Sequence, residues 1–453
     1  LPDLLKPFPA GGTFNRRGWH ALAHLPTAGG APFWADFQIL RQPLVFTRRV
    51  EQHLGRMART VIGGQPQVLL LSAGALESVL LDRDRVFSSK GGWTSLMGEL
   101  FPRGLLLRDG DEHRHHRRLL LPSMKREVLQ GYLQRMEVPV RSTVQQWVQR
   151  AELPGLGLPA MRHLALSRAA DLLLALHDPS EVRSAEHDFG ALVEASTAML
   201  RLPLIGRRWA RGLNARTRLV AQLKSLTAAR RAHPGPDLLS QLVQARDEEG
   251  RRLQDDEVVD HLVFLMMAAH DTTASALTSA LCLLAQHPEW QHRLRLEVFQ
   301  EDPKQDLMPR MAARQQMGWV IREVLRLNPP VAFLQRQTLA SVELEGVRLP
   351  SGALLTLAPL HVQRDARWWP DPDSFRPERF RASELPHPFA WAPFGGGAHR
   401  CLGQHLADAQ MRLVLGELLL QARWSLPLGL SPQWRHAPIT HPTQGGPLLL
   451  QPL

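Results

Sequence analysis

Apolar residues at helical spacing run unbroken from residue 255 to residue 287, DDEVVDHLVFLMMAAHDTTASALTSALCLLAQH, the longest such pattern in the chain. Acids open the run and Pro288 follows it, so it predicts one helix of roughly nine turns. Almost every position is apolar, which places that helix in the interior. Its middle departs from the pattern. Ala268, Ala269, His270, Asp271, Thr272 and Thr273 put small and polar groups where a buried helix holds bulk. A threonine there can bond backward to a carbonyl and bend the axis.

Elsewhere the spacing predicts a helix around 43–59, a short strand at 67–72 (QVLLLS) and a helix at 75–81. From 87 to 108 the pattern dissolves into glycines, a proline and isolated apolar residues, among them Trp93, Leu96 and Met97, and reads as a loop. Residues 128–253 read as mainly helical, with breaks at 153–159, 178–180 and 233–236. VIREVLRLNPP (320–330) is a helix stopped by its prolines, and a strand candidate follows from Val331 through Arg336. A last helix at 404–420 precedes a pair of strands. No linker or internal repeat interrupts the chain, so the expectation is a mainly α fold with small β-sheets, as one domain over 1–453.

Composition narrows the classes. A hydrophobic fraction of 44% with 21% charged residues is that of a globular chain with a sizeable core. Two cysteines, Cys282 and Cys401, make no disulfide framework and fit a reducing, cytoplasmic setting. The N-terminal stretch is broken by prolines, glycines and arginines, so neither a signal segment nor a transmembrane anchor of about 20 apolar residues is expected. The net charge of +11 suits an acidic partner or an anionic surface. Its arginines are scattered without aromatic interleaving, which argues against nucleic acid.

The densest chemistry lies at 393–403, PFGGGAHRCLG. Three glycines permit a tight backbone path into Cys401, ahead of a helix and beside His399 and Arg400. Donors and positive charge there favour a thiolate, a ligand for a soft metal; the plainer reading is a glycine turn with an inert buried cysteine. His113, His115 and His116 could suggest a second metal site, but no further cysteine or carboxylate spacing supports it. His113 and Arg117 stand one helical turn apart and can converge on one anion, while Glu323 and Arg326 can form a charged pair.

The glycine loop resembles that of the cytochrome P-450 haem-thiolate monooxygenases, with Phe394, Gly395, Gly397, His399, Cys401 and Gly403 at its fixed positions. The small-residue break before Asp271 and Thr272, with Ala269 where the family usually has glycine, and the Glu323, Arg326 and FRPERF (375–380) segments extend the resemblance in order along the chain. It implies haem b held between the long central helix and the cysteine-loop helix, with Cys401 as the axial metal ligand. It assigns His113, Arg117 and Arg336 to the haem propionates, with Phe394 and His399 beside the cofactor. Asp271 and Thr272 become catalytic, serving proton delivery and oxygen activation, and Glu323, Arg326 and Arg379 form a structural triad.

Trp93, Leu96, Met97, Ala268, Val331, Ala332, Phe333 and Leu334 become substrate-cavity candidates, and residues 440–446 a loop touching substrate. LRLPLIGRRW (200–209) becomes a turn between mobile helices. The implied activity uses O₂ to hydroxylate a large lipophilic small molecule such as a terpenoid, carotenoid, retinoid or fatty acid. No flavin or iron–sulfur segment is present, so electrons are expected from a ferredoxin or flavodoxin with its reductase. A peroxide-dependent peroxygenase and a non-catalytic haem sensor are the alternatives that the same cysteine loop allows.

Overall fold

Three helices open the described chain, α1 (Arg16–Ala21), α2 (Trp34–Arg41) and α3 (Pro43–Leu54). The computed structural model describes all residues except 1–15, 30–33, 150–155, 175, 177, 197–207, 236, 303 and 383. The expected turn at 200–209 therefore lies almost wholly outside the described residues, as does the start of the break at 153–159. The helix expected over 43–59 stops at Leu54, because Gly55 takes a φ of +88° and Met57 onward is drawn into strand pairing. That strand, β1 (Met57–Ile62), pairs antiparallel with β2 (Gln65–Leu70), and α4 (Ala73–Leu81) follows under a Ser72 cap.

The stretch read as loop from 87 to 108 is more ordered than its composition suggests. It contains β3 (Phe87–Ser88), α5 (Ser89–Met97) and a 3₁₀ turn at Leu105–Leu107. Gly91 and Gly92 weaken α5 intrinsically, but Ser88 Oγ accepts from the Gly91 N–H at 2.6 Å and Asp109 accepts from the Ser89 N–H at 2.8 Å. The glycines also let α5 lie on the sheet. A Cβ on Gly92 would stand 2.5 Å from the Arg336 backbone nitrogen.

Helices then dominate: α6 (Gly110–Leu120), α7 (Arg126–Gln149), α8 (Leu158–Leu174), α9 (Pro179–Ser196), α10 (Arg208–Ala232) and α11 (Leu238–Gln244). The central helix α12 (Asp255–Gln286) runs unbroken for 32 residues, opened by a capping box in which Glu257 accepts from the Gln254 N–H at 3.0 Å. After it come α13 (Pro288–Phe299), α14 (Leu307–Ala312), α15 (Gln315–Leu327), β4 (Leu334–Thr338), β5 (Val342–Leu344), β6 (Val347–Leu349), β7 (Leu354–Leu357), α16 (Pro359–Val362) and α17 (Gln404–Gln421). Four short strands close the chain, β8 (Ala422–Ser425), β9 (Trp434–Arg435), β10 (His441–Pro442) and β11 (Leu449–Pro452). The largest sheet has the order β1-β2-β7-β4-β3, with β2 parallel to β7.

Two large apolar clusters share α12. Val258 to Met266 pack with the 100–107 segment and α8 to α11, whereas Ala274 to Leu284 pack with α7, α13, α15 and α17. Ala268 and the polar residues His270 to Thr273 fall between the two, while Met267 and Ala269 flank the first. Although Thr272 Oγ1 donates to the Ala268 carbonyl at 2.7 Å, the helix continues through this point without a break.

Under the cysteine loop the chain is held by a buried ionic knot. Glu323 and Arg326 have side chains of 0% exposure and pair through two hydrogen bonds of 2.7 and 2.9 Å. Arg379 adds a third at 3.0 Å, and Arg326 also donates to the Gln363 and Pro372 carbonyls at 2.8 and 2.7 Å. Every donor on this face finds an acceptor, which is what makes a buried pair tolerable. Replacing Glu323 by Ala strands a buried guanidinium, and we expect a loss of about 3–5 kcal/mol in urea unfolding. A loss under about 1 kcal/mol, the size of an exposed pair, would show that the carbonyls suffice alone.

Candidate functional site

Cys401 sits at the end of a loop that only glycines can trace. Gly395 and Gly397 have φ of +68° and +60°, and a Cβ on Gly397 would stand 2.0 Å from the Leu80 carbonyl of α4. The loop folds back on itself where the Cys401 N–H donates to the Phe394 carbonyl at 2.9 Å. Phe394 in turn meets Trp391 edge-on at 6.1 Å, and Trp391 Nε1 donates to the Arg322 carbonyl of α15.

The cysteine is accessible, yet its sulfur lies deep enough that burial pushes the thiol up, so it faces an internal cleft. The Gly403 N–H and the charges of Arg117 and Arg400 pull the other way without prevailing. The expectation of a readily ionised free thiol is therefore corrected. Low dielectric outweighs the donors, and a bound metal cation would supply the remaining stabilisation of the thiolate.

Around the sulfur the protein concentrates donors and positive charge. His113 and Arg117 project from one face of α6, and the His113 ring stacks on His399 at 3.8 Å. Burial pushes His113 down to about 4 and His399 to about 2, so both are neutral near pH 7 and each carries one N–H. His113 Nε2 is buried with no protein partner. Arg336 of β4 is buried and drops to about 10, still charged, and Arg117 is lowered by burial as well. Asp109 and Asp82 are the carboxylates facing Arg336, and the Asp109 oxygens already accept from Ser88, Ser89 and Lys90. The half-buried Arg117, the buried Arg336 and two neutral imidazoles thus make a donor set that the protein does not fully use, since His113 Nε2 has no partner. Those unspent donors, beside a metal-competent sulfur, fit a planar group carrying two carboxylates such as haem.

The central helix brings the other wall. Phe264, Ala268 and Thr272, spaced by four, are partly accessible, as are Leu265, Met267 and Ala269, on a helix whose other residues from 258 to 284 are buried. Trp93 and Met97 of α5 pack on the same apolar cluster as Phe264, Leu265, Met267, Ala269 and Leu402, the neighbour of Cys401. Leu96 and Val331 are half-buried. Ala332 is 1% exposed and does not reach the cleft. Phe333 and Leu334 are half-buried; Phe333 packs toward the α2–α3 cluster, and Leu334 packs on the sheet core beside the glycine loop, its Cδ1 3.9 Å from where a Cβ on Gly395 would stand. Residues 440–446 lie against α12, where Ser275 Oγ donates to the Thr440 carbonyl at 2.5 Å and Gly446 abuts Cys282.

Asp271 is buried and accepts from Arg162 of α8 through Nε at 2.6 Å and Nη2 at 3.2 Å. The Arg162 side chain is 41% exposed. Sequence reasoning missed this partner, since 109 positions separate the two and no motif links them. It also missed Phe264 and Leu265, which the i−4 spacing from Ala268 and Ala269 could have shown.

The sequence profile of the family described as Cytochrome P450 matches residues 26–176 and 189–444. Among curated proteins, the chain is 34% identical over 396 residues to cytochrome P450 136 of Mycobacterium tuberculosis, covering 85% of this chain and 80% of that one. It is 31% identical to cytochrome P450 26C1 of Mus musculus, covering 96% and 90%. Among solved structures it superposes on retinoic-acid-bound cyanobacterial CYP120A1 with a TM-score of 0.83 at 27% identity, covering 95% of this chain and 99% of that one.

A side chain at Gly397 would meet both a left-handed backbone and the Leu80 carbonyl. Gly397→Ala is expected to cost about 2 kcal/mol or more in urea unfolding, from backbone strain and the collision together. A wild-type midpoint would show that the loop does not need this approach to α4.

Proposed function

The chain belongs to the cytochrome P450 family, and from that premise we propose that Cys401 is the haem ligand of a monooxygenase acting on a large lipophilic substrate. The enzyme class is an oxidoreductase that uses O₂ and takes electrons from a redox partner. The observation that carries the assignment of Cys401 is an accessible cysteine whose thiol is nevertheless in a buried setting, with the Arg117 and Arg400 charges at its sulfur and His399 of the same loop stacked on His113. Haem, when bound there, supplies oxygen activation and transfer of one oxygen atom to the substrate.

The protein's own groups do the remaining work. His113, Arg117, Arg336 and His399 would hold the two propionates, and the shielding of these donors from water would strengthen each contact. Thr272 keeps its Oγ1 proton on the Ala268 carbonyl and offers the oxygen's lone pairs to the cleft. Asp271 stores a negative charge on Arg162. When the half-exposed guanidinium turns toward water, the freed carboxylate oxygens take a proton from solvent and pass it inward toward Thr272 Oγ1.

Phe264, Ala268, Trp93, Met97 and Leu402 present apolar surface, which suits an extended terpenoid, carotenoid, retinoid or fatty acid. The similarity to a retinoic-acid-bound cyanobacterial structure supports a ligand of that size. For electron supply we favour an acidic ferredoxin or flavodoxin docking near the exposed Arg400 on the cysteine side. Among the described residues no helix is long and apolar enough to cross a membrane.

Reduced protein under CO is expected to show the red-shifted Soret band of thiolate-ligated haem, and Cys401→Ala to abolish it. An unshifted band, or one that survives the substitution, removes the assignment. Retinoic acid, a long-chain fatty acid and a carotenoid should be screened for a low-to-high spin shift. Silence from all three defeats the substrate class. With a ferredoxin donor, turnover should fall as salt rises from 50 to ~500 mM, while salt-insensitive turnover would rule out charge-steered docking.

A further inference from the structure

Helix α6 has a second polar face that the cofactor does not explain. His116 lies one residue before Arg117, about 100° around the helix, and points at α12 rather than at Cys401. Its Nε2 lies 2.6 Å from Arg108 Nη1, and its Nδ1 lies 3.0 Å from His261 Nε2. Arg108, His116 and His261 are 3%, 4% and 0% exposed.

The chemistry orders this chain. A guanidinium can only donate, so His116 Nε2 must accept from Arg108. The proton of His116 is then on Nδ1, where it is donated to His261 Nε2. His261 must accept in turn, which puts its own proton on Nδ1. One fixed cation thereby sets both tautomers. Among the described residues this is the one side-chain hydrogen bond from α6 to α12. A roll of α6 by roughly 20° would carry side-chain tips about 5 Å from its axis through some 2 Å, enough to misplace His113 and Arg117.

We infer that His116 and His261 are positioning residues for haem binding, a neutral buried pair ordered by Arg108 that fixes the rotation of the cofactor-gripping helix. The inference rests on the reading of His113 and Arg117 as that grip. It is also acid-sensitive, because protonating either imidazole places two donors nose to nose. Burial and Arg108 hold both below the ordinary imidazole range, His116 at about 4. The other groups facing the pair are Glu112, His115 and Glu257 at His116. Glu257 approaches His116 Nε2 at 3.5 Å, too far to displace Arg108. The locked form is thus complete above 6.5, where an open imidazole is neutral, and is lost as the pH falls from there to about 4.

The test is haem transfer from the holoprotein to excess apomyoglobin, followed by absorbance across pH 7.5 to 4, with far-UV circular dichroism to establish folding. His116→Leu and His261→Leu should each release haem roughly tenfold faster at neutral pH, because each strands a buried donor or acceptor. His116→Gln offers one acceptor to Arg108 and one donor to His261 and cannot be protonated. It should hold haem as wild type does at neutral pH and show a shallower rise in release rate below 6.5. Equal behaviour of His116→Gln and His116→Leu, or wild-type release from His116→Leu, overturns the inference. Should His116→Leu not fold, a wild-type acid profile from His116→Gln overturns it alone. Arg117→Leu serves as the reference. If it too leaves release unchanged, the reading of the grip falls along with the lock; if it speeds release while His116→Leu does not, only the lock falls.

Discussion

The paired charges of Glu323 and Arg326 are the constraint on which the cysteine side depends. Neither side chain meets solvent, so both must be satisfied by protein, and the acceptors they require come from segments far along the chain. Arg326 takes carbonyls of Gln363, Pro372 and Ser374, and Glu323 takes the Arg376 N–H and the Arg379 guanidinium. Gln363 passes the constraint on. Its amide donates to the Leu325 and Arg326 carbonyls and accepts from the Ala392 N–H, the residue before Pro393 and the glycine loop. A charge that cannot be left unpaired thereby dictates the path of the strand of chain leading to Cys401.

The central helix imposes the opposite kind of order. It is unbroken, but the two apolar clusters that grip it do not meet along its length, and the residues between them are those that cannot fill space. Small side chains at Ala268 and Ala269 and an internally bonded Thr272 leave one face of the helix accessible inside the protein. The cleft is thus a consequence of where packing stops. Asp271, one residue earlier, turns to the far side and finds Arg162, so adjacent positions serve a wet and a dry side of one helix.

How much of this could be read from residue order follows from the range of the forces involved. The long apolar run, its acidic start and Pro288 are local, and α12 begins and ends within a residue of the expected bounds. The glycine loop is legible because its positive φ values allow few other residues. Helix α5 was hidden, since its glycines argue against a helix and its support comes from Asp109 twenty positions away. The same reason conceals Arg162 behind Asp271 and the packing partners of Phe333 and Leu334, which lie in two different clusters. Side-chain direction on a strand is set by the sheet it joins, and β4 joins β7 and β3 only after the chain has folded.

The parallel pairing of β2 with β7 carries a consequence for assembly. Gln67 to Leu70 align with Leu354 to Leu357, so the central ladder of the largest sheet joins segments nearly three hundred positions apart. During synthesis the early hairpin leaves the ribosome with one edge unsatisfied and waits until most of the polypeptide has emerged. The α4 platform beneath the cysteine loop hangs from that same hairpin. Maturation of the catalytic pocket is therefore bound to be among the last events in the nascent chain's history.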